Sequence, residues 1–273
     1  MIKSILVPTD YSEASLNALK TAIKIAAGNN ATLYILHVKD VIPEAVIFES
    51  KKKAKEVFDA MAGKLSIEHG IQTTIIFADG IVGHTIVNTV AENKIDLVIM
   101  GSHGLPGQGG PAIGSNAYYV VKRCTCPVML IPEGPLRIDF KNILFPVRPS
   151  KFTYKLYRII ENIAVETETP YKVQILGITT SRFETTLFPL PSKIREITNN
   201  NGNNNIEISL SYSNNINISN SVLAGAEESN ADLIVISPGI DMPARPFFIG
   251  PSSQNIINQA KIPILSIIRI SEN

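Results

Sequence analysis

Nowhere in the 273 residues does an unbroken apolar run approach the ~18 that a bilayer-spanning helix needs, so no stretch reads as a membrane span. Net charge is nearly absent as well: 25 Lys+Arg stand against 24 Asp+Glu. That balance removes the electrostatic case for a nucleic-acid partner or an anionic membrane surface. Cysteine is scarce. Cys124 and Cys126 give no disulfide framework, and with no matching His/Cys cluster they lack the ligands of a zinc site. Cysteines just ahead of an apolar strand read as structural. The opening "MIKSILVPTDYS" has one lysine and no small-residue cleavage site, so it reads as a first strand rather than a signal peptide. A cytoplasmic protein is the expectation. Catalytic machinery is missing too. No "GK[ST]" lysine is present to serve phosphoryl transfer, and no Ser/His/Asp order has supporting context.

What is present is rhythm. The composition is 45% apolar, and the length suits two domains that each bury a core. Short apolar runs alternate with helical patterns: "SILVP" (4–8), a helix over 12–28, "ATLYILHV" (31–38), a long charged helix over 49–70, "IQTTIIFA" (71–78), a helix over 84–93, "DLVIM" (96–100), "SNAYYVVKR" (115–123) and "PVMLIP" (127–132). In the first helix, Leu16, Leu19, Ile23 and Ala26/Ala27 predict the buried face, with Ser12 as N-cap and Gly28 as C-cap. Strands separated by helices imply βαβ units and a parallel sheet covered on both faces.

The pattern then restarts. "NILFPVRPS" (142–150) echoes "SILVPTDYS" (4–12), placing Pro146 under Pro8. "ESNADLIVISPG" (228–239) echoes "ENKIDLVIMGSH" (92–103), "AKIPILSIIRI" (260–270) echoes "CTCPVMLIPEG" (124–134), and Gly250 falls under Gly114. These collinear echoes predict a tandem repeat, with domains over 1–136 and 137–273 divided near "PEGPLRIDF" (132–140). In the second copy, "TTSRFETTLFPLPSKIREITNNNGNNN" (179–205) replaces the long charged helix, and predicts a shortened helix and a polar surface loop.

One stretch stands apart: glycines at 101, 104, 107, 109, 110 and 114 follow the apolar run "IDLVIM". Such a cluster serves a turn or a close backbone approach. In an open parallel sheet, ligands collect at the carboxyl ends of strands where the strand order reverses. "VPTDYS" (7–12) offers Asp10 as an acceptor for a ribose hydroxyl pair, while "GSHG" (101–104) and "GSN" (114–116) offer backbone N–H groups at a helix N-terminus.

The spacing Gly101-x2-Gly104-x9-Gly114-Ser115 resembles the nucleotide-binding signature of the universal stress protein family, in its ATP-binding branch. "ILVPTD", "LHV", "DLVIMGSHG" and "CPVMLIP" are similar to that family in the same order, and the resemblance covers the whole chain as two copies. It implies tandem five-stranded parallel α/β domains of the adenine-nucleotide α-hydrolase, Rossmann-like type. It implies ATP or a related adenine nucleotide as ligand; Mg2+ enters with the slow-ATPase alternative, where it would bridge bound phosphates near Asp10 or His103. Asp10 would hold the ribose; Pro8, Thr9 and Val38 would line the adenine pocket; Met100 would lie beside the nucleoside. Gly101, His103, Gly104, Gly114, Ser115 and Asn116 would surround the phosphates. The spacer "LPGQGGPAI" departs from the family pattern in carrying no Lys or Arg, and Asn116 stands where that pattern has a small or apolar residue.

The second copy lacks these features. Val147 and Arg148 replace Thr9 and Asp10, Ser237 and Ile240 replace Gly101 and Gly104, and Pro251 replaces Ser115. It reads as having lost the site, with Arg148 and Arg245 binding a different anion as the alternative. His37 reads as a core or edge histidine, His69 and His84 as surface residues, and "KKKAK" (51–55) as a solvated helix face. His103 is as suited to orienting its loop as to chemistry. The leading expectation is a stress-response regulatory protein that binds the nucleotide with little or no hydrolysis. A slow ATPase and a protein-interaction module with no working site are the alternatives. Because single-copy members of the family dimerise through the final strand, "PVMLI" (127–131) and "PILSIIRI" (263–270) are expected to make an intrachain pseudo-dimer. A further homodimer of whole chains is compatible with it.

Overall fold

A computed structural model describes residues 2–39, 60, 64, 68–102, 113–148, 159–163, 171–178, 189–200, 206–213, 217–236 and 249–267. The chain divides into two compact units, Met1–Gly134 and Pro135–Asn273.

In the first unit, β1 (Ser4–Pro8), α1 (Glu13–Asn29), β2 (Thr32–Lys39), β3 (Thr73–Asp79), α2 (Val82–Glu92), β4 (Leu97–Gly101), α3 (Ser115–Arg123) and β5 (Val128–Ile131) follow one another. The strands lie in the order β3-β2-β1-β4-β5, all parallel. β1, β4 and β5 are apolar and buried along nearly their whole length, as strands covered on both faces must be. Of the long helix expected over 49–70, residues 60, 64, 68 and 69 are helical, and the remainder lies outside the described residues.

α1 corrects the sequence expectation in two respects. Its buried side chains are Ala14, Ser15, Ala18, Leu19, Thr21, Ala22, Ile25 and Ala26, whereas Leu16 is 46% exposed and Ile23 only half-buried. The inner face combines Leu19 and Ile25 with four alanines, Ala14, Ala18, Ala22 and Ala26, whose small side chains let the helix pack closely. The helix also ends later than expected. Asn30, at φ 51°, is the left-handed C-cap in place of Gly28, and its N–H reaches the Ala26 and Ala27 carbonyls. Ser12 is the N-cap, accepting from the Ser15 amide.

The second unit comprises β6 (Asn142–Val147), β7 (Tyr171–Ile178), α4 (Leu190–Asn200), β8 (Ile206–Ser213), α5 (Ile218–Glu228), β9 (Leu233–Ile236), α6 (Pro251–Gln259) and β10 (Ile264–Ser266). Its parallel order, β8-β7-β6-β9-β10, is the order of the first unit, strand for strand. The asparagine tract at 201–205 lies outside the described residues.

The same anchoring device occurs in both units. The Asp96 carboxylate accepts from the Lys3 and Ser4 amides at 2.8 and 3.0 Å, and the Asp232 carboxylate accepts from the Lys141 and Asn142 amides at 3.1 and 2.9 Å. Each aspartate thereby ties the start of the central strand to the start of its neighbour. Among the described residues no helix is long and apolar enough to cross a membrane.

Candidate functional site

The strand order reverses between β1 and β4, and the pairing of those two strands is short. β1 meets β4 only at Ile5–Leu97 and Leu6–Val98, yet it runs beside β2 as far as Pro8–Leu36. Beyond Leu6 the sheet therefore parts, opening the crevice that such folds use for ligands. Pro8 marks the parting. The Thr9 amide bonds the Leu36 carbonyl at 2.8 Å on the β2 side, so alternation turns position 8 toward β4, where pairing has already ended. A proline there forfeits no ladder bond.

Past Pro8 the backbone forms a tight loop whose polar groups satisfy one another. The Tyr11 amide donates to Thr9 Oγ1 at 3.2 Å, Thr9 Oγ1 lies 3.1 Å from Ser15 Oγ, and Ser15 Oγ donates to the Ser12 carbonyl at 2.9 Å. Thr9, Ser12 and Ser15 are all buried, so this chain of hydroxyls meets the rule that buried polar groups find partners. Tyr11 sits at φ 67°, a left-handed conformation that costs a residue with a Cβ about 1 kcal/mol and that the surrounding bonds hold in place. Burial raises the Tyr11 phenol above its ordinary pKa.

Asp10 stands at the apex. Its Oδ1 accepts from the Ser12 amide at 3.0 Å, and the residue is exposed to solvent. A carboxylate fixed at one oxygen and open to water can accept hydrogen bonds from a vicinal diol.

Across the crevice, Met100 is buried opposite Leu130 and Gly101 ends β4. The Ser102 amide bonds the Ile131 carbonyl at 2.8 Å, and the Ser102 carbonyl accepts from the Gly114 amide at 2.9 Å. These two bonds bring the N-terminus of α3 to the end of β4. Gly114 is the N-cap and supplies no side-chain acceptor, while Ser115 and Asn116 are exposed. The first amides of α3 form the positive end of the helix dipole, which favours an anion at the N-terminus. Val38 is half-buried near the end of β2. Pro8, Thr9, Asp10, Met100, Gly101 and Gly114–Asn116 thus gather at the carboxyl ends of β1 and β4; His103 and Gly104 lie outside the described residues. Among the described residues no group of three His, Cys, Asp or Glu side chains could hold a metal ion.

One neighbour was missed as a participant. His37 Nδ1 lies 2.9 Å from the Thr9 carbonyl, and its ring is 4.9 Å from that of Tyr11 and 6.2 Å from that of Phe77. The motif "LHV" marks the residue, but its partner lies 28 positions away and is fixed only by strand register. In the second unit, Val147 is fully buried where the first has Thr9, Arg148 follows it, and Pro251 is the first residue of α6 after the N-cap Gly250. Ser237, Ile240 and Arg245 lie outside the described residues.

Comparison with known proteins matches residues 1–132 to the model of the universal stress protein family. A universal stress protein of Methanocaldococcus jannaschii is 31% identical over 143 residues, covering 49% of this chain and 84% of that one. The universal stress protein YxiE of Bacillus subtilis is 30% identical over 148 residues, covering 48% of this chain and 99% of its own. In fold, a crystal structure of a universal stress protein from Archaeoglobus fulgidus matches 99% of this chain and 97% of its own, with a TM-score of 0.73 at 19% identity.

Proposed function

The chain belongs to the universal stress protein family, and on that premise we propose that its first unit binds an adenine nucleotide, ATP foremost, in the crevice between β1 and β4. The observation that carries the proposal is the Asp10 carboxylate, fixed by the Ser12 amide at 3.0 Å and open to solvent beside the point where the strand order reverses.

In this reading Asp10 accepts the ribose hydroxyls. Pro8, Thr9 and Val38 line the base, and Met100 walls the nucleoside. The amides of Ser115 and Asn116, with Gly101, His103, Gly104 and Gly114 around them, surround the phosphates; the Gly114 amide itself is held by the Ser102 carbonyl. Any Mg2+ would be held chiefly by the phosphates themselves, since the protein offers no ready cluster of ligands among the described residues. The second unit binds no nucleotide in the same way: Arg148 removes the ribose acceptor, and Pro251 removes one amide and the hydroxyl from the helix start.

Turnover is slow or absent. The sequence carries no "GK[ST]" lysine to serve phosphoryl transfer. Binding raises stability by RT ln(1 + [L]/Kd), about 2.7 kcal/mol at a hundredfold excess over Kd. ATP should therefore raise the melting temperature of the full chain, with phosphate release far below the ~1–100 s⁻¹ of kinases. No thermal shift at millimolar ATP would contradict binding. Turnover near one per second, lost in Asp10→Asn, would make the protein an enzyme.

A further inference from the structure

The placement of Asp10 depends on a loop that begins where β1 stops pairing. Thr9 is the hinge of that loop: its amide is the last group held by β2, through Leu36, and its carbonyl points to the ring of His37. A carbonyl can only accept, so Nδ1 must carry the proton, and the 2.9 Å bond fixes the tautomer. His37 is itself held on both sides. It pairs in register with Phe77 on β3, whose ring meets it edge-on, and the Tyr11 ring lies tilted against it. Successive strand side chains point to opposite faces, so His37 faces away from Val38, the residue assigned to the base.

We infer that His37 is a positioning residue for the nucleotide: its Nδ1–H holds the Thr9 carbonyl and thereby sets where the Asp10 carboxylate meets the ribose. This rests on the assignment of the ribose to Asp10 above. The ring touches neither base nor phosphate; it acts through one backbone carbonyl. Packing alone does not explain the residue. An aliphatic side chain would suit the half-buried end of a strand between Tyr11 and Phe77, but it would leave the Thr9 carbonyl without its ring donor. The chain of bonds from the Tyr11 amide through the Thr9 and Ser15 hydroxyls to the Ser12 carbonyl constrains the same loop from within, while His37 ties that loop to β2.

The test compares ATP with 2′,3′-dideoxy-ATP, which lacks the hydroxyls Asp10 would accept. Both are titrated into the full chain and into His37→Leu, His37→Asn, Asp10→Asn and the His37→Leu/Asp10→Asn pair. Asparagine carries an N–H at the position of Nδ1, whereas leucine carries none. Loss of one hydrogen bond predicts that His37→Leu weakens ATP binding about 3- to 10-fold, while His37→Asn stays within about twofold. For dideoxy-ATP, and in the Asp10→Asn background, His37→Leu should have no effect. Equal losses in the leucine and asparagine variants, or the same loss for both nucleotides, would overturn the positioning role while leaving the Asp10 assignment standing. Wild-type protein that bound ATP and dideoxy-ATP equally would overturn the assignment and the inference together. One measurement needs no variant: nitrogen-15 NMR of the wild type should show the Nδ1–H tautomer at His37, and an Nε2–H tautomer would overturn the inference.

Discussion

The Ser12 amide donates to Asp10 Oδ1 at 3.0 Å, so the carboxylate assigned to the ribose also closes the turn into α1. The two roles can be separated. Asparagine keeps an acceptor for Ser12 but replaces the other oxygen with a donor. Asp10→Asn should therefore unfold at nearly the wild-type urea midpoint, whereas Asp10→Ala should lose about 1 kcal/mol of stability. A similar loss in both variants would show that the charge, rather than the turn, supports the fold.

Ser12 is buried and caps α1 through its bond from the Ser15 amide at 3.2 Å. Removing such a cap typically costs ~1 kcal/mol. Ser12→Ala should lose about that much in urea unfolding, and Ser12→Asp, which can still cap, should lose less. An unchanged midpoint in Ser12→Ala would contradict the cap.

Gly83 in α2 faces Tyr119 in α3 so closely that a Cβ on it would lie 2.9 Å from Tyr119 Cδ1 and 3.2 Å from its Cβ. Alanine has the better helix propensity, by roughly 1 kcal/mol, but the clash takes in the Cβ and Cγ of Tyr119 as well as its ring edge. Overpacking of this kind costs about 1–3 kcal/mol. Gly83→Ala should lower the melting temperature, and a rise would show that the two helices separate easily.

Burial holds the Asp232 carboxyl above its ordinary value of 3.8, against the lowering effect of the amide bonds from Asn142 and Lys141 and of the Arg137 charge. A carboxyl raised on folding contributes stability that is present below its unfolded pKa and lost as pH rises through the folded one. Asp232→Asn cannot titrate and loses one acceptor. The wild type's advantage over it should therefore be larger at pH 3 than at pH 7, as read by unfolding in urea at several pH values. An advantage that grew toward neutral pH would reverse the sign of the shift.

Cys124 and Cys126 are both free thiols, and the hydrogen bond from Cys124 is the largest cause raising the Cys126 thiol pKa, followed by burial. Cys124 itself is 3% exposed. Thiolate is the reactive form, so a disulfide reagent at pH 8 should label the native pair far more slowly than the urea-unfolded chain. Rapid native labelling would contradict the structural role.

The order of elements was legible because the apolar runs are short, β-branched and separated by helical patterns, and the echo of Pro8 at Pro146 exposed the second copy. The inner face of α1 was not. Leu16 outranks Ala14, Ala18 and Ala22 on any hydrophobicity scale, yet the sheet takes the small side chains and leaves Leu16 outside. Both Gly28 and Asn30 tolerate the left-handed C-cap, and sequence could not choose between them. At the candidate site, Asp10 and the glycines announced themselves by residue type and spacing. His37 could not, because its contact with Thr9 exists only once β1 and β2 pair in one particular register.

The most direct test of nucleotide binding by the first unit is calorimetric titration of ATP into the full chain and into Asp10→Asn. One site per chain is expected and, since hydrogen bonds to a charged group contribute about 1.5–3 kcal/mol, a roughly 10- to 100-fold weaker affinity in the variant. Two equivalent sites per chain, no binding heat, or an affinity unchanged by Asp10→Asn would contradict binding at Asp10 of the first unit.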